Sequence, residues 1–191
     1  MGFADEVWWS RLACPALQTW TDGAPWRVVA QTVAKDDPDP KALASYGLLV
    51  RQDAAGAGAT EKLWLRFVDG RPVSAITIQF LTWCCERLAA RGRTTLVLIW
   101  DNASWHVSGP VRTWLRAHNQ RVHRKGGVRI VPCWLPTKSP WLNPIEPKWG
   151  HAKRRVVAPG RRLTARELEE RVCATLDCPL TAHLALPKEV S

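Results

Sequence analysis

Two carboxylates stand where a phosphate could be handled. Asp101 follows directly on the apolar run Leu96-Val-Leu-Ile-Trp100, and Glu146 closes a proline-punctuated stretch, Leu135-Pro-Thr-Lys-Ser-Pro-Trp-Leu-Asn-Pro-Ile-Glu146. An apolar run of this length, ended at once by Asp101-Asn102, reads as a strand buried on both faces. In open α/β sheets, chemistry collects just beyond the carboxyl ends of such strands. Asn143 predicts a helix N-cap with Pro144 at the first helical position, which puts Glu146 at the third and aims its carboxylate toward Asp101. Each acid also has a plainer reading. Asp101-Asn102 makes a strand-end turn, and Glu146 makes half of a capping box that reaches back to the Asn143 amide.

The two segments together carry a resemblance. Asp101-Asn-Ala-Ser-Trp-His106, followed by Leu135 to Glu146, resembles the catalytic core of DDE transposases, in particular the insertion-sequence 630 family related to the mariner elements. The resemblance implies an α/β, RNase H-like fold: a mixed five-stranded sheet flanked by helices. It makes Asp101 and Glu146 the second and third metal-binding acids. Phe3-Ala-Asp-Glu-Val-Trp-Trp-Ser-Arg11 looks like the first-strand segment of that family, so Asp5 becomes the first acid, with Glu6 its neighbour. The implied catalytic and metal-binding set is therefore Asp5, Asp101 and Glu146, with Asn102, His106 and Asn143 supporting them.

Three carboxylates suit hard divalent cations, because one or two acids per ion leave coordination positions for water and phosphate. Two Mg²⁺ (or Mn²⁺) ions about 4 Å apart can activate the attacking oxygen and stabilise the leaving one at phosphorus. The implied reaction is hydrolysis at a transposon end, followed by strand transfer into target DNA. The implied partners are double-stranded DNA, a second copy of the chain on that DNA, and a separate helix-turn-helix chain, since no such region precedes Phe3. A related nuclease or resolvase would use the same acids without strand transfer, and a non-catalytic DNA-binding remnant would not need them. Ser104 and His106 are not expected to make a nucleophilic pair, because residues two apart near a strand end rarely meet in the geometry a triad requires.

Composition sets the frame. The chain has 191 residues, enough for one α/β domain, expected as a catalytic domain over 1–160 with a C-terminal helical extension over 161–191. Lys and Arg total 27 against 17 acids, a net charge of +10, which favours a polyanionic partner. Arg121 to Arg129 and Lys148 to Arg162 concentrate that charge beside the proposed active edge. Lys138, Lys148, Lys153, Arg154 and Arg155 are the candidates for phosphate contact. Twelve tryptophans should be mostly core or groove walls, with a minority stacking on bases. Six cysteines lack zinc-site spacing, and Cys173, Cys178 and His183 want a fourth ligand. With no secretory signal and no apolar run near the ~20 residues that cross a bilayer, the expected place is the bacterial cytoplasm, at the nucleoid, with no membrane.

The elements that must position the acids follow in order. Gly2 to Asp5 reads as a very short, truncated strand, since typical strands run about five or six residues. Trp26 to Val33 reads as a strand, and Tyr46–Arg51 with Leu63–Val68 as a hairpin. Ile76, Phe80, Cys84 and Leu88 give Pro72–Arg91 a helical rhythm stopped at Gly92. Ser108 caps a helix whose Val111, Trp114, Leu115 and His118 share a face, with His118 a packing residue. Gly127–Cys133 is the next parallel strand. Thr164-Ala-Arg-Glu167 is a capping box with Leu163 and Leu168 as its staple, opening a helix to about Leu176.

Overall fold

A computed structural model of the chain describes residues 1–12, 18–19, 22–23, 26–27, 33–54, 58–137, 139–158 and 161–186. Five strands form one mixed sheet in the order β5-β4-β1-β6-β7. They are β1 Gly2–Ser10, β4 Ala42–Ala54, β5 Gly58–Val68, β6 Thr95–Trp100 and β7 Arg129–Trp134. The hairpin β4–β5 and the pair β1–β4 are antiparallel, while β1–β6 and β6–β7 are parallel. A separate two-stranded ribbon pairs β2 Gln18–Thr19 with β3 Trp26–Arg27. Of the strand expected over 26–33, only that short piece and Val33 fall within the described residues.

The first strand is longer than the four residues expected. It spans nine residues at the centre of the sheet and pairs with β4 along its whole length. Alternation sends its side chains into two different cores. Phe3, Val7 and Trp9 join the layer formed by α3 (Glu146–Val156) and α4 (Ala165–Thr175), whereas Ala4 joins the layer formed by α1 (Ser74–Ala89) and α2 (Gly109–Lys125). The molecule is thus a helix–sheet–helix sandwich.

The helices follow the apolar rhythm that predicted them. Ile76, Phe80, Cys84 and Leu88 are all buried on α1, and the chain leaves it through Gly92 at φ +67° with Arg93 N–H bonded to Leu88 O. On α2 the Ser108 hydroxyl accepts from Val111 N–H, and His118 packs inward with Nε2 2.8 Å from Val128 O. Strand β6 departs from expectation on one face. Leu96, Leu98 and Trp100 are buried, but Val97 is exposed and Ile99 only half-covered, because α3 and α4 cover β1 and β4 more than β6.

Among the described residues of the C-terminal stretch, 161–186, the α-helix is α4, and side-chain and backbone bonds tie the stretch to the sheet. Arg11 Nε donates to Leu163 O at 2.8 Å, and Leu184 forms a parallel bridge with Val68 of β5. His183 faces Asp69 and Glu169 rather than the buried Cys173 and Cys178. Thr164 and Glu167 form the full capping box, and Arg161 holds the Glu167 carboxyl down at about 2. A carboxyl depressed in this way contributes stability above its unfolded value of 4.5 and loses it as pH falls toward 2. Acid titration followed by amide exchange should therefore open α4 early, and Glu167→Gln should remove that pH dependence.

Candidate active site

The parallel register of β1 and β6 aligns Gly2 with Leu98 and Phe3 with Ile99. Continued by two residues, it sets Asp5 beside Asp101 at the strand end. Helix α3 begins at Glu146 and packs against β1, so its first carboxylate arrives over the same edge. Asp5, Asp101 and Glu146 line one open cleft of about 280 Å³, together with Asn102, Asn143 and loop residues on either side of position 138, from Leu135 to Thr137 and Ser139 to Pro140. The three predicted acids are brought together; Asn102 and Asn143 line the cleft with them, and His106 stands behind it, bonded to Asp101.

The loop reaches this place by a different route from the one expected. Asn143 does not adjoin α3, although its Oδ1 accepts from Ile145 N–H at 3.5 Å, as a capping asparagine's would. A single 3-10 turn, Pro140–Leu142, precedes it, and the helix starts after Ile145. The buried Asn143 amide also donates from Nδ2 to Ala4 O at 3.1 Å, pinning the loop to β1 one residue before Asp5. Glu146 is thereby spared the capping role and keeps its carboxylate in the cleft. Asn102 fixes the other wall, donating from Nδ2 to Leu135 O at 2.6 Å.

The acids differ in environment. Asp5 is buried, and burial, reinforced by the charges of Glu146 and Glu6, pushes its carboxyl up to about 7. Trp149 Nε1 donates to Asp5 Oδ2 at 2.8 Å and pulls the other way. Trp149 lies over Gly47, the β4 partner of Asp5, where an added Cβ would stand 2.6 Å from the indole Cζ2. Glu146 is raised by partial burial and by Asp101, against the pull of Lys153. Asp101 is half exposed and held low, chiefly by its hydrogen bond to His106.

His106 is buried between two carboxylates on different segments. Its Nδ1 lies 2.7 Å from Asp101 Oδ1, and its Nε2 makes a very short contact with Glu6 Oε1. The ring stacks on Trp100 at 4.5 Å and 22°. Burial alone would lower its basicity, but the two carboxylates outweigh that and hold it at about 9. Glu6, Trp149 and Gly47 were not singled out as functional from the sequence. Only Glu6 left a signal there, as an acid in the middle of an apolar strand.

The donor set fits a hard divalent cation. Three carboxylates of like charge are held in one cleft, and two of them are raised partly by a neighbour's charge. They do not converge on one point: among the described residues no group of three or more His, Cys, Asp or Glu side chains closes around a single position.

The family is decided by sequence. Residues 27–169, more than half of the chain, match the DDE superfamily endonuclease family. The chain belongs to the DDE superfamily endonucleases. The matched stretch includes Asp101 and Glu146, and Asp5 precedes it. The fold is similar to that of Mos1 transposase in three solved complexes. These are a paired-end complex with the left transposon end (TM-score 0.57, 14% identity), a strand transfer complex (0.53, 16%) and a mariner paired-end complex with Mn (0.55, 15%). Each covers 92% of this chain, which spans about half of the Mos1 chain, 46–47%. No curated protein is matched by sequence.

The basic candidates are dispersed. Lys153, Arg154 and Arg155 are exposed on the last turn of α3, with Arg155 Nη1 3.3 Å from His151 Nε2. Lys148 is drawn to Glu61 at 3.1 Å on the opposite side of α3 from the cleft, and Lys138 lies outside the described residues. Trp141 projects from the 3-10 turn at the cleft rim and is 75% exposed. Among the described residues no helix is long and apolar enough to cross a membrane.

Proposed function

We propose that this DDE endonuclease domain is the catalytic domain of a transposase of the insertion-sequence 630 type, cutting and joining DNA at the cleft of Asp5, Asp101 and Glu146. The observation that carries the reading is that these three carboxylates, from a central strand, a strand end and a helix start, all line one open cleft. Asp5, Asp101 and Glu146 would together hold two Mg²⁺ or Mn²⁺ ions. Bound there, the ions supply Lewis-acid activation of the attacking oxygen and charge stabilisation of the leaving one. Asn102 and Asn143 hold the two cleft walls through their bonds to Leu135 O and Ala4 O.

The chemistry is two displacements at phosphorus. In the first, water attacks a phosphodiester at the element's end and the P–O3′ bond breaks, leaving a 3′-hydroxyl and a 5′-phosphate. In the second, that hydroxyl attacks a target phosphodiester and releases a target 3′-hydroxyl. The working form is a dimer on DNA in the bacterial cytoplasm, with a helix-turn-helix region or chain supplying end recognition. The test is Mn²⁺-dependent nicking of a duplex, followed by joining of a pre-cut labelled 3′-hydroxyl end to plasmid. Nicking with joining supports the transposase, and nicking without joining supports a nuclease or resolvase. Salt-sensitive DNA binding with neither, in any divalent metal, would overturn the enzymatic reading.

Trp141 carries a further expectation. An exposed indole whose neighbour Pro140 lines the cleft is placed to stack on an unpaired base next to the scissile phosphate. Stacking of this kind is worth about 1–3 kcal/mol per base. Trp141→Ala should weaken binding of a tailed DNA end by roughly tenfold or more, measured by anisotropy, while Trp141→Phe retains most of it.

A further inference from the structure

Alternation along β1 places two adjacent acids on opposite faces of the sheet. Asp5 faces α3 and Trp149, while Glu6, the β4 partner of Tyr46, faces the α1–α2 layer. The Asp101–Ser108 segment crosses the end of that second layer and lays the His106 ring against the strand end, stacked on Trp100 and met edge-on by Trp105 at 6.1 Å. With 1% of its side chain exposed, His106 reaches Glu6, itself 7% exposed, through Nε2, and the half-exposed Asp101 through Nδ1. Carboxylate oxygens accept, so a ring lodged between two of them donates from both nitrogens. Both the His106 bond and the Ala103 N–H bond, the latter 3.0 Å, fall on Oδ1 of Asp101.

We infer that Glu6 and His106 are positioning residues for Asp101: Glu6 clamps the His106 ring from inside the fold, and the ring fixes Oδ1 of Asp101 so that Oδ2 is presented to a divalent cation. The inference rests on the reading of Asp101 as a metal ligand. Glu6 is a fourth acid of the site by charge but not by access, because its Oε1 is taken by the buried ring. A half-exposed carboxylate at a strand end would otherwise be free to rotate away from the cleft. Residues that orient a ligand in this way typically change metal affinity by about 10–100-fold when removed.

The experiment is Mn²⁺ binding to the full chain, read by loss of the free-ion electron paramagnetic resonance signal, beside metal-free DNA binding and thermal melting. Asp101→Asn, which keeps an acceptor for His106, should lose Mn²⁺ affinity outright; unchanged affinity there would sink the metal-ligand reading itself. Glu6→Ala and His106→Ala should weaken Mn²⁺ binding about 10–100-fold and leave metal-free DNA binding within about twofold. His106→Asn, whose amide can take the place of Nδ1, should recover part of the loss, and Glu6→Gln, which still accepts from Nε2, more of it. Should either alanine variant fail to melt cooperatively, these two conservative variants decide the matter through the same titration. Wild-type Mn²⁺ affinity in folded Glu6 and His106 variants, with Asp101→Asn defective, would overturn the clamp.

Discussion

Asp101→Asn and Glu146→Gln should each lower metal-dependent nicking of duplex DNA by on the order of a thousandfold, about 4 kcal/mol of transition-state stabilisation. Both substitutions preserve volume and polarity, so the loss would be one of charge at the cleft. Asp101 is half exposed and Glu146 stands in the open first turn of α3. Neither change buries a new unsatisfied group, and each should leave the melting temperature within a few degrees of the wild type. Glu146→Gln also ends the repulsion that Glu146 exerts on Asp5, so the Asp5 carboxyl should move back down from about 7 toward the ordinary range. Nicking rates by gel, run with Mg²⁺, Mn²⁺ and chelator, check the first expectation. Undiminished nicking in either variant would remove that acid from the mechanism. An equal loss with no metal dependence would instead point to a DNA-binding defect.

How much of this was legible in the sequence depends on the range of the interaction. Local signals held. The four-residue rhythm of Ile76, Phe80, Cys84 and Leu88 gave α1, and Thr164 with Glu167 gave the cap of α4, because each is decided within a turn or two of helix. Asp101 and Glu146 were found through the long motif around them, and the register of two parallel strands now accounts for the place of Asp5 beside Asp101. The strand bearing Asp5 looked too short because Glu6 and Ser10 interrupt its apolar pattern. Its length makes sense only once Glu6 has His106 and the strand has neighbours on both sides. Asn143 misled for a similar reason. Its local capping signal was sound, but its amide finds Ala4 O on a strand nearly the whole chain away. Partners separated by about a hundred residues leave no spacing to read.

Trp149 is where fold and site share one side chain, and its substitution should show the largest stability effect. The indole is 2% exposed, meets Trp9 edge-on at 5.9 Å and donates to Asp5. Trp149→Ala removes a fully packed aromatic and should cost about 3–5 kcal/mol, a large share of the total for a domain of this size. Trp149→Phe separates the two roles. It keeps most of the packing but removes the indole donor to Asp5 Oδ2, at a cost of about 1–3 kcal/mol for a buried acceptor that loses a bond. Its second effect is electrostatic: without that bond the Asp5 carboxyl should rise further above 7, because the indole is the larger of the two hydrogen bonds that pull it down, the Glu6 backbone amide being the other. Gly47→Ala should act through the same contact, since its Cβ would enter the space of the indole and push it off β4. Urea denaturation gives the stability change, and the Asp5 titration by carboxyl nuclear magnetic resonance gives the electrostatic one. If Trp149→Phe lowered stability without moving Asp5, the indole would be a packing residue alone. If Asp5 moved as expected in both Trp149→Phe and Gly47→Ala, the helix that delivers Glu146 would also be the one that sets the charge of the first acid.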